Sequence, residues 1–266
     1  MMYTSNTFVP NNYEPREADV VFLGVPFGAT SVSKPSIYGP VMVRQSLKIV
    51  EDFVPAMYEK IKVCDLGDLE FVPGSFELTA ERVRETARDI MAVNKKAFII
   101  LVGGEHSMTL PLAEVLEPKT IVHFDAHGDC LPDYLGNKYT HQTWAWHASR
   151  FSRIIQLGVN TKTSGEERIV KERNIERFGF AEFIKKTPKM QKPVHVSIDI
   201  DVFDPSFIGE TGYYEGKATK EEVFGALGKI GADSLDIMEI CDDKLPSKSG
   251  FLAADIIQRV LAKRFL

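Results

Sequence analysis

Apolar and polar positions along the chain follow two alternating periods. Short, β-branched apolar runs at Asp19 to Val25, Lys62 to Leu66, 97–102, 120–125, 153–158, 194–200 and 234–239 predict strands, with Leu69 to Val72 extending the second as an edge. Between them the apolar spacing widens to that of helices. Gly39-Pro40 opens a stripe of Val41, Val43, Leu47 and Val50, and Leu78 to Asn94 carries Val83, Ala87, Ile90 and Met91 on one face. Further helices are predicted near 107–116, 140–149, 165–173, 180–186, 219–230 and 251–263. This rhythm implies right-handed βαβ crossovers and an α/β fold: three αβα layers around a mostly parallel sheet of about eight strands. No repeat or long linker divides the chain, so residues 1–266 are expected to form one domain. Residues 1–18, polar and proline-bearing, are expected as an extended arm over the surface or towards a neighbouring subunit. The stretch Pro26 to Gly39 reads as a loop at the C-terminal end of the first strand, either a surface connection or a lip of an active site.

Composition narrows the picture only a little. A chain of 266 residues that is 44% hydrophobic and 26% charged can bury one sizeable core. Its net charge of -5 gives no reason to expect nucleic acid and mildly suits a cationic substrate. Cys64, Cys130 and Cys241 are odd in number, far apart and lack any Cys-x-x-Cys, which predicts reduced thiols in a cytoplasmic protein. The N-terminus has no basic head followed by an apolar stretch, so no secretory signal is expected. Apolar runs such as Ala97 to Val102 are too short to cross a bilayer, so no membrane partner is expected.

Chemistry concentrates where three predicted strands end. Ile-Val-His-Phe-Asp-Ala-His-Gly-Asp-Cys, 121–130, places Asp125, His127 and Asp129 at alternate positions, which an extended strand would turn to one side. Alone, such acids would merely terminate a strand in solvent. The arrangement recurs, however, in Val-His-Val-Ser-Ile-Asp-Ile-Asp-Val, 194–202, where Asp199 and Asp201 alternate with Ile198, Ile200 and Val202. Burying such acids is costly unless a cation neutralises them. His106 stands at a third strand end, in Gly-Gly-Glu-His-Ser. Four aspartates and two histidines exceed what one ion needs, and two shared carboxylates would serve two ions. Oxygen-rich donors favour a hard divalent metal such as Mn²⁺ over zinc. Two such ions would lower the pKa of a shared water from about 15.7 towards about 7, which predicts hydrolysis.

The motifs Gly-Gly-Glu-His-Ser (103–107), Phe-Asp-Ala-His-Gly-Asp (124–129) and Ser-Ile-Asp-Ile-Asp-Val-Phe-Asp-Pro (197–205) resemble, in order, the three signatures of the ureohydrolases, the arginase and agmatinase family. The likeness spans Gly24 to about Glu239. It implies an arginase-like fold and two Mn²⁺, one held by His106, Asp125, Asp129 and Asp199, the other by Asp125, His127, Asp199 and Asp201. It also implies that His141 shuttles protons, that Glu239 binds the substrate guanidinium, and that Asp129 passes a proton to the leaving amine. The expected products are urea and a primary amine, and the expected assembly a homo-trimer or homo-hexamer. Residues 24–44 and 130–140 look most like agmatinases, since the second stretch lacks the Asn- and Ser-rich pattern with which arginases hold an amino-acid carboxylate. A small cationic guanidino substrate, agmatine or an aminopropylated relative, is therefore expected, with arginase, guanidinobutyrase and formimidoylglutamase activity as alternatives. The chain departs from the family pattern at Gly28, at Gly128 and in 206–216, where only Thr211-Gly212 is kept. Zinc deacetylases of similar fold hold one metal and would not need all six ligands. A non-enzymatic relative that binds metal or polyamine is the reading from a different class, though no ligand is lost here.

Overall fold

A computed structural model describes residues 9, 12–30, 34–49, 59–161 and 165–266. Among them, eight strands form one sheet in the order β2-β1-β3-β8-β7-β4-β5-β6, with every pairing parallel. These are β1 (Val20–Val25), β2 (Val63–Asp68), β3 (Phe98–Gly103), β4 (Thr120–Phe124), β5 (Arg153–Leu157), β6 (Glu176–Phe178), β7 (Val194–Asp199) and β8 (Ser234–Met238). Alternate side chains of the central strands feed two apolar cores. Val20, Phe22, Ile100, Val122 and Val196 pack on one face, and Val21, Leu23, Ile99, Leu101 and Ile121 on the other. The helix Gly39–Ile49 packs beside Lys248–Phe265 on the first face, and Phe76–Val93 beside Thr109–Leu116 on the second, which completes the three expected layers.

Local chemistry sets the helix starts more sharply than periodicity does. The Ser75 hydroxyl accepts from Leu78 N, so that helix begins at Phe76, two residues before the expected Leu78. Thr219 and Glu222 form a reciprocal capping box, and Ser247 caps the last helix, which begins at Lys248, three residues before the expected start at 251. The expected helix 140–149 shrinks to Trp144–Ala148, because the Thr143 hydroxyl is engaged by Thr140 N and bonds back to the Lys138 and Thr140 carbonyls, holding a turn before it. Leu69 to Val72 is not an edge strand. Leu69 N still reaches Gly24 O, but Thr79 Oγ1 takes both polar groups of the Val72 backbone, pulling the chain towards the next helix. Strand β6 was not expected, since three residues, Glu-Arg-Phe, are too few to show a period.

Of the expected N-terminal arm, 1–8, 10 and 11 lie outside the described residues, as does Val50 of the first helical stripe. The described part lies along the β2 side of the sheet: Tyr13 N bonds Val63 O, and Asn12 exchanges bonds with the Asp65 backbone. No described helix is long and apolar enough to cross a membrane. All three cysteines are buried and free.

Candidate active site

The sheet's strand order reverses between β4 and its neighbours, and the predicted ligands gather at the C-terminal ends there, where open α/β sheets place their ligands. Asp199 is the last residue of β7, and Asp201 sits in a 3₁₀ turn (Ile200–Val202) that the Asp199 side chain caps by accepting from Asp201 N. Strand β7 is thus one residue shorter than expected at this end. His106 opens a second 3₁₀ turn (His106–Met108) just beyond β3.

The 125–129 segment departs from the simple extended picture. Strand β4 stops at Phe124, and Asp129 adopts a left-handed backbone with φ 49. Its carboxylate reaches the same place by a bend. The bend is held by backbone bonds from Asn160 and Thr161 to Ala126 O and from Ala145 to Asp129 O, and by Trp144 Nε1 donating to Asp129 Oδ2 at 3.0 Å. Glu239 is also left-handed, with φ 61. Asp129 and Glu239 are two of the five non-glycine residues with positive φ among the described residues, and in the candidate site they mark conformations that the surrounding structure imposes.

His106 Nδ1 lies 3.2 Å from Asp199 Oδ2, 3.3 Å from Asp125 Oδ2 and 3.5 Å from Asp129 Oδ2. His127 Nδ1 lies 2.9 Å from Asp201 Oδ2 and 3.3 Å from Asp125 Oδ1. Two compact donor groups that could hold metal ions result: His106, His123, Asp125 and Asp129, and Asp125, His127 and Asp201. Asp125 belongs to both, as a bridge would. Asp199, the other expected bridge, belongs to neither compact group but touches each, through His106 and through Asp201 N at 2.8 Å.

His123 was not singled out from the sequence, although it shares the parity of Asp125 along β4. Its Nε2 lies 2.8 Å from Asp125 Oδ2. Glu105 was missed as well. It is buried, and its carboxylate accepts from Thr30 N and Oγ1 and from Ser107 Oγ, while Thr30 Oγ1 lies 3.3 Å from His141 Nδ1. An acid inside a Gly-Gly-Glu-His-Ser turn was the available signal.

Burial, and then the charge of Asp125, push Asp129 well above the usual carboxylate range, and burial and Asp201 do the same to Asp199. Asp201 rises to about 6 through burial and Asp125. Burial also opposes ionisation of Asp125, yet its imidazole neighbours hold it well below that range. These four carboxylates find imidazoles, backbone amides and an indole as partners, and no ion pair joins them to lysine or arginine among the described residues. A buried cluster of this kind, oxygen-rich and short of positive charge, fits divalent cations.

Above the cluster, a pocket is lined by His127, Asp129, His141, Gln142, Asp199, Asp201, Thr211, Gly212, Tyr213 and Glu239. The Glu239 carboxylate accepts from His106 N at 2.8 Å and from Ser36 Oγ at 3.2 Å. Burial and then Glu105 push its pKa up to about 8, so a cation beside it would hold it ionised. His141 Nε2 and Thr211 Oγ1 are buried without a partner among the described residues. These two buried polar atoms of the wall therefore await either a ligand or solvent.

Comparison with known proteins agrees with this architecture. The family model described as "Arginase family" matches residues 18–262. The chain is 34% identical over 259 residues to the N(1)-aminopropylagmatine ureohydrolase of Thermococcus kodakarensis, covering 92% of this chain and 90% of that one. It is 32% identical to the agmatinase of Pyrococcus horikoshii, covering 98% of each. The crystal structure of the agmatine ureohydrolase of Thermoplasma volcanium superposes with a TM-score of 0.88 at 24% identity, over 99% of this chain and 95% of that one.

Proposed function

The chain belongs to the arginase family and is an amidine C–N hydrolase of the ureohydrolase kind, and on that premise we propose that it cleaves agmatine to urea and putrescine with two Mn²⁺. The observation that carries the substrate reading is the pocket wall. It offers the buried Glu239 carboxylate to a guanidinium, and among the described residues lining it there is neither a lysine or arginine nor any of the Asn and Ser with which arginases hold a substrate carboxylate. Arginine would bring such a carboxylate; agmatine does not.

His106, Asp125, Asp129 and Asp199 would hold one cation, and Asp125, His127, Asp199 and Asp201 the other. Bound there, the pair supplies Lewis acidity and a water of lowered pKa. Glu239 orients the substrate by a two-pronged bond to the planar guanidinium, which fixes the carbon to be attacked. Asp129, its Oδ2 already pinned by the Trp144 indole, transfers a proton to the departing amine nitrogen. His141 has a free Nε2 at the pocket wall and carries protons between this site and solvent. Water is added across the C–N bond, its oxygen ending in urea and both of its protons on the departing amine, which leaves as an ammonium. The enzyme works in the cytoplasm as a homo-trimer or homo-hexamer, the assembly its family resemblance implies.

A longer substrate, aminopropylated agmatine, is the second reading. The Thermococcus relative carries that name, and Glu215, half exposed beside the pocket with Oε2 3.5 Å from His127 Nε2, suits an additional ammonium. The test is urea release by Mn²⁺-loaded protein from agmatine, its aminopropyl derivative, L-arginine and guanidinobutyrate, with Asp125→Asn as control. Agmatine should be turned over fastest and the control should release none. Preference for arginine would overturn the reading of the pocket wall, and preference for the aminopropyl derivative would select the second reading.

A further inference from the structure

One row of polar side chains crosses five strands directly beneath the centre. In the parallel register, Asp236 of β8 lies beside Ser197 of β7, Ser197 beside His123 of β4, His123 beside Gln156 of β5, and Gln156 beside Arg177 of β6. Four of the five are fully buried. Polar groups in the middle of a sheet are costly unless they are satisfied, so the partners of this row are its explanation.

Its inner half faces His106: Ser197 Oγ lies 2.8 Å from His106 Nε2 and donates to Asp236 Oδ1 at 2.6 Å, and Asp236 Oδ2 lies 2.8 Å from His195 Nε2. Its outer half runs away from the centre. Gln156 Nε2 donates to Gly128 O at 2.5 Å and lies 3.1 Å from His123 Nδ1, and Gln156 Oε1 accepts from Arg177 Nε at 2.8 Å. With Gln156 donating to His123 Nδ1, the His123 proton sits on Nε2 and points at Asp125 Oδ2. Arg177 is fixed in turn by Glu166, whose Oε1 accepts from Arg177 Nη2 at 2.8 Å and from Cys130 Sγ at 3.2 Å.

Gly128 is the residue that this arrangement demands. Its φ is not positive, so conformational freedom is not the reason for a glycine there. Space is. A Cβ at 128 would fall inside the Glu166 carboxylate and against the Arg177 guanidinium. The two charged groups fill the room that a side chain between His127 and Asp129 would take.

We infer that Arg177, held by Glu166 and acting through Gln156, is a positioning residue for the cation centre, and that Gly128 is fixed by the space this ion pair occupies. Arg177 touches no ligand itself. Through one glutamine amide it constrains both the His123–Asp125 pair and the backbone that carries His127 and Asp129. The inference rests on the reading of the cluster as a cation centre.

Calorimetric titration of cation-free protein with Mn²⁺, read together with the thermal midpoint of each cation-free variant, tests it. Loss of a partner behind metal ligands typically costs 10- to 100-fold in affinity. Arg177→Met and Gly128→Ala should each weaken Mn²⁺ binding by about that factor. Arg177→Lys should not rescue, because an ammonium cannot span Gln156 and Glu166 as the guanidinium does. Trimming Glu166 makes room at 128, so Gly128→Ala with Glu166→Ala should bind Mn²⁺ more tightly than Gly128→Ala alone. At saturating Mn²⁺, Arg177→Met should recover most of its turnover. Unchanged affinity in Gly128→Ala, or strictly additive effects of the 128 and 166 substitutions, would overturn the inference. So would a fall in the cation-free midpoint of Arg177→Met as large as the loss of binding, since that marks a merely structural residue. Failure of the wild-type protein to bind Mn²⁺ would bring down the centre itself, and the inference with it.

Discussion

Two acid clusters on strands of this protein are neutralised in opposite ways. On β2, the buried Asp65 and the exposed Asp68 face Arg44, which is buried on the neighbouring helix. Its Nε lies 3.0 Å from Asp65 Oδ2, its Nη1 bonds Asp68 Oδ1, and its Nη2 donates to Gly67 O at 2.6 Å. The planar guanidinium satisfies both acids and a turn carbonyl in one fixed fork. Beyond β4 and β7, four aspartates meet imidazoles, amides and an indole, and no lysine or arginine pairs with them among the described residues. The fold evidently can supply an internal arginine where a buried acid is structural. Withholding one from Asp125, Asp129, Asp199 and Asp201 leaves a charge deficit that an ion, and then a cationic substrate, can fill.

The two clusters should therefore fail differently. Arg44→Met strands Asp65 in the interior and should cost about 3–5 kcal/mol of stability, measured by denaturant unfolding, while Mn²⁺ stoichiometry stays at the wild-type value. Equal loss of cation binding would break the distinction. At the other cluster, Mn²⁺ at a hundred times its dissociation constant should stabilise the wild-type protein by about 2.7 kcal/mol for each ion bound, and a chelator should remove that gain. Asp199→Asn should lose most of it, yet leave the cation-free protein no less stable, because the substitution relieves repulsion from Asp201. The smallest effect belongs to Asp68→Asn. Its side chain is 34% exposed, so its ion pair is screened and the change should cost under about 1 kcal/mol.

Much of this was legible in the sequence because both the fold and the ligands follow short periods. Alternate acids in otherwise apolar strands announced Asp125, Asp199 and Asp201, and the family resemblance pointed to Glu239 at the end of the last expected strand. What stayed hidden depends on register. Nothing in Arg153 to Leu157 or in the three residues of β6 says that Gln156 and Arg177 will stand beside His123, since that alignment arises only when three parallel strands pair. The left-handed bend at Asp129 was likewise hidden. Extended backbone and a bend bring the same carboxylate to the same place, and it takes the bonds from Asn160, Thr161 and Ala145 to select the bend. Gly128 read only as an anomaly until Glu166, distant in sequence, filled the space beside it.

Trp144 gives the centre one more property. Its indole is buried, stacks on His106 with ring centroids 4.8 Å apart, meets His123 edge-on at 4.7 Å and bonds Asp129. The other tryptophan, Trp146, lies under the guanidinium groups of Arg150 and Arg173 instead. A chromophore in contact with two histidines and an acid of the cluster feels any charge that settles among them, so the filling of the centre can be followed in the ultraviolet emission of the unlabelled protein.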